Sequence, residues 1–172
     1  FNSEKLNWLN AHYLRRSDAG RLAALVRPRL AARGVAVSEV PSLAAIIELH
    51  RERVSNLNEL ADFAELFYID LQPPSGLLAR HLTPETLPLL DDFAAALAEV
   101  PWQAAAIGVL IKECVARHGV KMPKLAMPVR VLLTGLEQTP SVDALIALFP
   151  RATALERLAR AGRVASPSAR GA

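Results

Sequence analysis

At 172 residues, with 52% hydrophobic but only 5% aromatic content, the chain can bury a core in one domain or two small ones, and its abundance of Ala and Leu favours helices over sheets. No apolar run reaches the roughly 18 residues of a membrane span. The opening Phe1-Asn2-Ser3-Glu4 lacks a secretory signal and does not begin with Met, so a segment of a longer cytoplasmic protein is expected. The net charge of +3 conceals an asymmetry: residues 1–60 carry nine Lys and Arg against six Asp and Glu, residues 61–110 one against seven, and residues 111–172 ten against four. Basic ends around an acidic middle suit a polyanion at the ends, or form an unevenly charged solvated surface. The single cysteine, Cys114, excludes an internal disulfide and reads as a buried thiol in a reducing compartment.

Helical spacing runs almost without interruption along the chain. Ser3 is the expected cap of a helix reaching about Arg15, with Leu6, Leu9, Tyr13 and Trp8 inward. Ser17 or Asp18 caps the next, with Leu22, Leu25, Val26 and Leu30 on one face and Gly34 as the stop. Pro41-Ser42 opens a third, striped by Leu43, Ile46, Ile47, His50 and Val54. Asn56 caps a fourth, with Leu57, Leu60, Ala61, Ala64 and Phe67 inward. Residues 72–76, Gln-Pro-Pro-Ser-Gly, read as a turn or loop. Thr83-Pro84-Glu85 opens a helix carrying Leu87, Leu90, Phe93, Ala94 and Leu97 and ending near Pro101. A strongly apolar helix over 103–118 stops at Gly119. Helices over about 123–134, 140–148 and 151–161 follow, the first stopping at Gly135. The Ser-, Ala-, Gly- and Arg-rich stretch 163–172 is expected to be a flexible tail. The pattern predicts an all-α fold, a bundle or cage of about eight to ten helices. Its seams are expected at 72–76 and at Pro101.

No Gly-rich phosphate loop, metal-ligand cluster or nucleophile triad can be assembled, so no catalytic residue, metal or cofactor is expected in this chain. His12, His50, His81 and His118 are scattered. His50 lies on the apolar stripe and reads as a satisfied core histidine rather than a ligand or catalytic base.

Two stretches carry a family resemblance. Met127-Pro128-Val129-Arg130-Val131-Leu132-Leu133-Thr134-Gly135, followed by Thr139-Pro140-Ser141, resembles a Pro-x-Arg-x-x-x-Thr-Gly run before a Thr-Pro helix start. That run belongs to the C-terminal anticodon-binding region of bacterial glutamyl-tRNA synthetases. The opening, Glu4-Lys5-Leu6-Asn7-Trp8-Leu9-Asn10-Ala11-His12-Tyr13-Leu14-Arg15, is similar to the stretch just downstream of that family's catalytic domain. The resemblance extends to about Ala161 and is weak over 61–110. It implies two helical subdomains, 1–100 and 101–162. It also implies a tRNA-selecting role within a glutamate–tRNA ligase, a class I enzyme that uses ATP and Mg through an acyl-adenylate. Implied with it are tRNA(Glu) as partner, no DNA or membrane partner, a monomeric full-length enzyme and a cytoplasmic site. Lys121-Met122-Pro123-Lys124 superficially resembles the class I Lys-Met-Ser-Lys-Ser loop, but both serines are replaced and no His-x-Gly-His partner exists. This segment reads as a connector between helices. A helical scaffold for an acidic protein partner is the alternative function.

A reader of single-stranded RNA needs arginines at helix edges, small polar caps and an apolar shelf, because unpaired bases are recognised by stacking and by hydrogen bonds along their edges. On a continuous helix, Arg51 and Arg53 would flank the buried stripe on opposite sides, roughly 70–90° from its centre. Glu48-Leu49-His50-Arg51-Glu52-Arg53 matches the family's Glu-Leu-x-Arg-x-Arg, whose second arginine is associated with the last anticodon base. The alternative for Arg53 is a surface arginine paired with Glu52 or a neighbour. Arg130, amid aliphatic residues, must find a partner or reach solvent. The resemblance gives it an anticodon contact, while a structural tie between helix ends is the alternative. Thr139 and Pro140 read as an N-cap and a first helical residue. With Val142, a place often held by Leu in the family, they are implied to line the anticodon pocket. Arg51, Arg15 and Arg16 are candidates for further RNA contact, with a solvated face the alternative for Arg15 and Arg16.

Overall fold

The computed structural model describes residues 2–165. Among them are ten α-helices and no strand: α1 Ser3–Arg16, α2 Ala19–Ala32, α3 Leu43–His50, a 3-10 turn at Arg51–Arg53, α4 Leu57–Glu65, α5 Ser75–His81, α6 Thr86–Glu99, α7 Ala104–Arg117, α8 Pro123–Thr134, α9 Val142–Leu148 and α10 Arg151–Ala165. The fold is all-α, as the spacing predicts. No helix among the described residues is long and apolar enough to cross a membrane.

The helix ends follow local chemistry. Side-chain oxygens of Asn2, Asp18, Ser42 and Asn56 accept from backbone N–H groups in the first turns of α1 to α4, satisfying donors that have no partner within the helix. Asn2, one residue earlier than expected, replaces Ser3 as the first cap. The three expected stops, Gly34, Gly119 and Gly135, have φ of +75°, +64° and +71°, the left-handed region that ends helices and favours glycine. Residues 72–76 hold more order than expected. Pro74, with φ −55°, sits at the N-cap of α5, so half of the expected loop is the start of a helix.

The chain divides into two compact units between Asp70 and Leu71, at the Pro-rich segment rather than at Pro101. The reason is packing: α6 lies against α7 and α10 and buries Phe93 and Leu97 completely, so residues 71–100 join the later helices. Of the expected tail, Arg163 to Ala165 continue α10, and residues 166–172 lie outside the described residues.

In the first unit α2 packs on α3 and α4. Leu22, Val26, Leu30, Ile46, Ile47, Leu60 and Ala61 are all at most 1% exposed. Leu25, expected with them, is 37% exposed. The inward stripe expected on α1 is not observed: Trp8 is 64% exposed and Leu6, Leu9 and Tyr13 exceed 40%, while Leu14 alone is buried. The principal packing of α1 is against the 3-10 turn. Its apolar stripe is therefore left uncovered by the described residues.

In the second unit α8 packs on α5, α6 and α10, and α7 packs on α9. Ile107, Leu125, Leu132 and Ile146 fill the core with the side chains of α6. Arginines of α10 close the carbonyl ends of neighbouring helices. Arg151 donates to the carbonyls of Ala98 and Val100 and lies 4.9 Å from the centre of the Trp102 ring. Arg157, only 3% exposed, donates from Nη1 to the Leu133 carbonyl at 2.6 Å and sits 5.0 Å from the Phe149 ring centre. A cation at the last turn of α8 meets unsatisfied carbonyls and the negative end of the helix dipole together.

Candidate nucleic-acid interface

Arg130 projects from α8 at the edge of the second unit's core and finds the partner its setting demands. Its Nε donates to Thr139 Oγ1 at 3.1 Å, and Nη1 reaches Met127 Sδ at 3.5 Å. Thr139 is 4% exposed, and its hydroxyl donates in turn to the Pro140 carbonyl at 2.8 Å. This corrects its expected role. Thr139 is not the N-cap of the following helix, which begins at Val142 behind Ser141 and has no side-chain cap. The hydroxyl instead fixes the arginine across the turn that Gly135 opens.

Arg130 and Val142 line one cavity of about 240 Å³, together with Gly108, Ile111 and Lys112 of α7, Met122, Ala126, Ser141 and Asp143. Its chemistry suits a nucleobase. Ile111, Ala126 and Val142 form an apolar shelf, the guanidinium offers a flat cation for stacking, and Asp143 adds an acceptor. Lys112, an exposed member of the lining, can meet a phosphate. Gly108 keeps α7 close to the start of α9: a Cβ there would lie 3.1 Å from Asp143 Oδ2. Pro140 is buried and is not among the lining residues. The sequence gives no sign of Lys112, Asp143 or Gly108 as site residues. Lys112 reads as an ordinary charge on an apolar helix, and only the packing of α7 on α9 brings it beside Arg130.

The first unit separates the two arginines of its Arg-x-Arg pair. Both lie in the 3-10 turn rather than on a continuous α-helix, so the expected flanking geometry does not apply. Arg51 turns inward, donating to the Ser17 carbonyl at 2.6 Å and to Glu48 at 2.8 Å. The Arg53 side chain is exposed and makes no hydrogen bond or ion pair among the described residues; the alternative, a pairing with Glu52, is absent, since Glu52 pairs with Arg15 at 3.4 Å. Arg16 is exposed. His50 stacks on Phe63 with ring centres 3.7 Å apart, and its Nδ1 is buried without a partner among the described residues. Burial, and then the charge of Arg53, push its pKa down to about 4, against a smaller opposing pull from Glu59. His50 thus sits half-buried and neutral on the apolar stripe, but it is not the satisfied core histidine expected, since Nδ1 has no partner among the described residues.

One ligand-bearing group is invisible in the linear sequence. Asp92, Cys114 and His118 place a carboxylate oxygen, a thiol and a ring nitrogen within 4.8 Å of one another. His118 Nε2 bonds Asp92 Oδ2 at 2.8 Å, Arg117 approaches Oδ1 at 3.4 Å, and burial pushes the Cys114 thiol up to about 11. With its carboxylate bonded from both sides and its thiol protonated, the group works as a polar tie between α6 and α7.

A family profile described as an anticodon binding domain matches residues 21–162. The chain belongs to the anticodon-binding domain family. The matched span contains the Arg130 cavity, Thr139 and both arginines of the 3-10 turn. Among its relatives, the glutamate–tRNA ligase of Dechloromonas aromatica is 52% identical over 151 residues, which cover 88% of this chain and 32% of that protein. That of Thiobacillus denitrificans is 49% identical over 158 residues, covering 92% and 34%. The chain thus spans about a third of the length of these relatives. A solved glutamate tRNA ligase structure from Elizabethkingia meningosepticum matches with a TM-score of 0.82 at 24% identity, over 94% of this chain and 32% of that one, which shows the shared helical fold. Of Lys121-Met122-Pro123-Lys124, expected as a connector between helices, only Lys121 and Met122 lie between α7 and α8. Pro123 opens α8 and Lys124 pairs with Glu85 at 3.2 Å, so the segment does not fit an ATP-binding loop.

Proposed function

We propose that this chain is the tRNA-selecting region of a glutamate–tRNA ligase, with tRNA(Glu) as its partner. The observation that carries the reading is the convergence of Arg130 and Val142 on one cavity in a chain of this family, with Thr139 fixing the arginine. In this reading a base of the anticodon enters the cavity, stacks on the guanidinium of Arg130 and rests on Val142, while Pro140 holds the turn beneath. Arg53, exposed and unpaired among the described residues, reads the last anticodon base; Arg15 and Arg16 add backbone contacts. Arg51 is spent on Ser17 and Glu48 and supports the turn that presents Arg53.

The whole ligase, as a monomer in the cytoplasm, joins glutamate to its tRNA with ATP and Mg. Those groups belong to a part of the enzyme that this chain does not contain. The test is a binding titration with tRNA(Glu), duplex DNA and the variant Arg130→Ala. We expect selective tRNA binding that weakens steeply with salt as counterions are released from phosphates. Loss of the arginine should cost about 1–3 kcal/mol. Equal binding to DNA, or an intact fold with unchanged affinity in the variant, would transfer the function to the scaffold reading.

A further inference from the structure

A second cavity, of about 290 Å³, opens on the α5 side of α8. Its walls divide into two chemistries. Pro123, Met127 and Pro128 form an apolar floor, and Lys121 and Lys124 stand with them, as does Arg80, whose guanidinium is already paired with Glu137. The Lys121 side chain is exposed and makes no hydrogen bond or ion pair among the described residues, and Lys124 is held only by the exposed Glu85, a pairing weak enough to be exchanged for another anion. His81 also lines the cavity. Its Nε2 is buried with no hydrogen-bond partner among the described residues, since Glu137 Oε1 stands 3.6 Å away, beyond bonding range. The cavity adjoins the one at Arg130. Residues 122, 126 and 130 line the first and residues 123, 124, 127 and 128 the second, so the two occupy neighbouring faces of one helix. Met127, a wall of the second, is bonded by Arg130, a wall of the first.

We propose that this cavity seats a second nucleotide of the bound single-stranded loop, adjoining the one at Arg130, with its phosphate on Lys121 and Lys124 and its base over Pro123, Met127 and Pro128. The inference rests on the RNA-binding reading above. A cationic rim beside an apolar floor is what a nucleotide requires, charge for the phosphate and a flat surface for the ring. A free phosphate would use the rim alone. The orphaned nitrogen of His81 supplies a hydrogen-bonding group that a base edge or ribose hydroxyl completes.

The test measures binding of the tRNA(Glu) anticodon stem-loop over a range of salt, with the whole chain, Arg130→Ala and the double variant Lys121→Ala/Lys124→Ala. The double variant should keep its melting temperature and bind about tenfold more weakly. Its dependence of log K on log salt should be shallower by about 0.7 for each phosphate no longer neutralised. Neutralising single loop phosphates as methylphosphonates should identify one whose loss weakens the parent but not the double variant. Removing the base of that nucleotide should weaken the parent too. Unchanged affinity and slope in the double variant would overturn the seat. So would a uniform weakening traceable to no single phosphate, or an abasic site without cost. If Arg130→Ala weakens binding while the double variant does not, the seat fails and the RNA-binding reading stands; if neither does, the reading itself fails.

Discussion

Two arginines separated by one residue illustrate how finely a role is assigned. Arg51 has two partners and Arg53 none among the described residues, so under the proposed function Arg53 reads a base. An arginine only donates hydrogen bonds. It therefore suits the acceptors on the edge of C, the last base of a glutamate anticodon, and meets the N–H donors of G, the last base of a glutamine anticodon, donor to donor. Glutamine donates and accepts. Arg53→Gln in the full ligase should relax selection against the glutamine tRNA by up to about 1–3 kcal/mol. The ratio of kcat/KM for the two tRNAs reads this directly, and an unchanged ratio would remove the role from Arg53. His50 allows a test without RNA. Its folded pKa of about 4 lies below the 6.5 of the unfolded chain, so between these values the unfolded state binds more protons. Its contribution is complete above pH 6.5 and is lost as pH falls toward 4. Melting curves at pH 7 and 4.5 should show a smaller acid-induced drop in His50→Leu than in the parent; equal drops would contradict this.

At the scale of elements, the legible features were those whose cause is local. Caps at Asp18, Ser42 and Asn56 and stops at Gly34, Gly119 and Gly135 follow from side chains next to the backbone they serve. The misread features depend on distant partners. The stripe on α1 is periodic in sequence but uncovered among the described residues, and periodicity does not say what covers it. Thr139-Pro140 has the grammar of a helix start, yet the threonine serves Arg130 nine residues earlier. Of the residues lining the candidate cavity, the resemblance points to Arg130 and Val142, whereas Lys112 and Asp143 become visible only when α7 meets α9. Two stability predictions belong here. Gly135→Ala puts a side chain on a left-handed residue, with its Cβ 3.5 Å from Pro74 Cδ, and should cost about 1–2 kcal/mol in chemical denaturation. Arg157→Ala strips a buried donor from the Leu133 carbonyl and empties the space over Phe149, for a loss of about 2–4 kcal/mol. An unchanged midpoint in either variant would contradict the role given to that residue.

At the scale of the whole molecule, the proposed function makes this chain the tRNA-selecting part of a longer ligase. It spans about a third of its relatives, and the segment most like an ATP loop is a helix start. The isolated chain should support no glutamate-dependent ATP–pyrophosphate exchange; measurable exchange would revise the proposed division of labour. The boundary between Asp70 and Leu71 carries a further consequence. Arg53 stands in one compact unit and Arg130 in the other, so the proposed readers of different anticodon letters are carried by separate units of the fold. A mutation that retunes one letter need not repack the other. For evolution this makes the decoder editable one character at a time, and a lineage could shift between strict and permissive tRNA choice by changes confined to the first seventy residues.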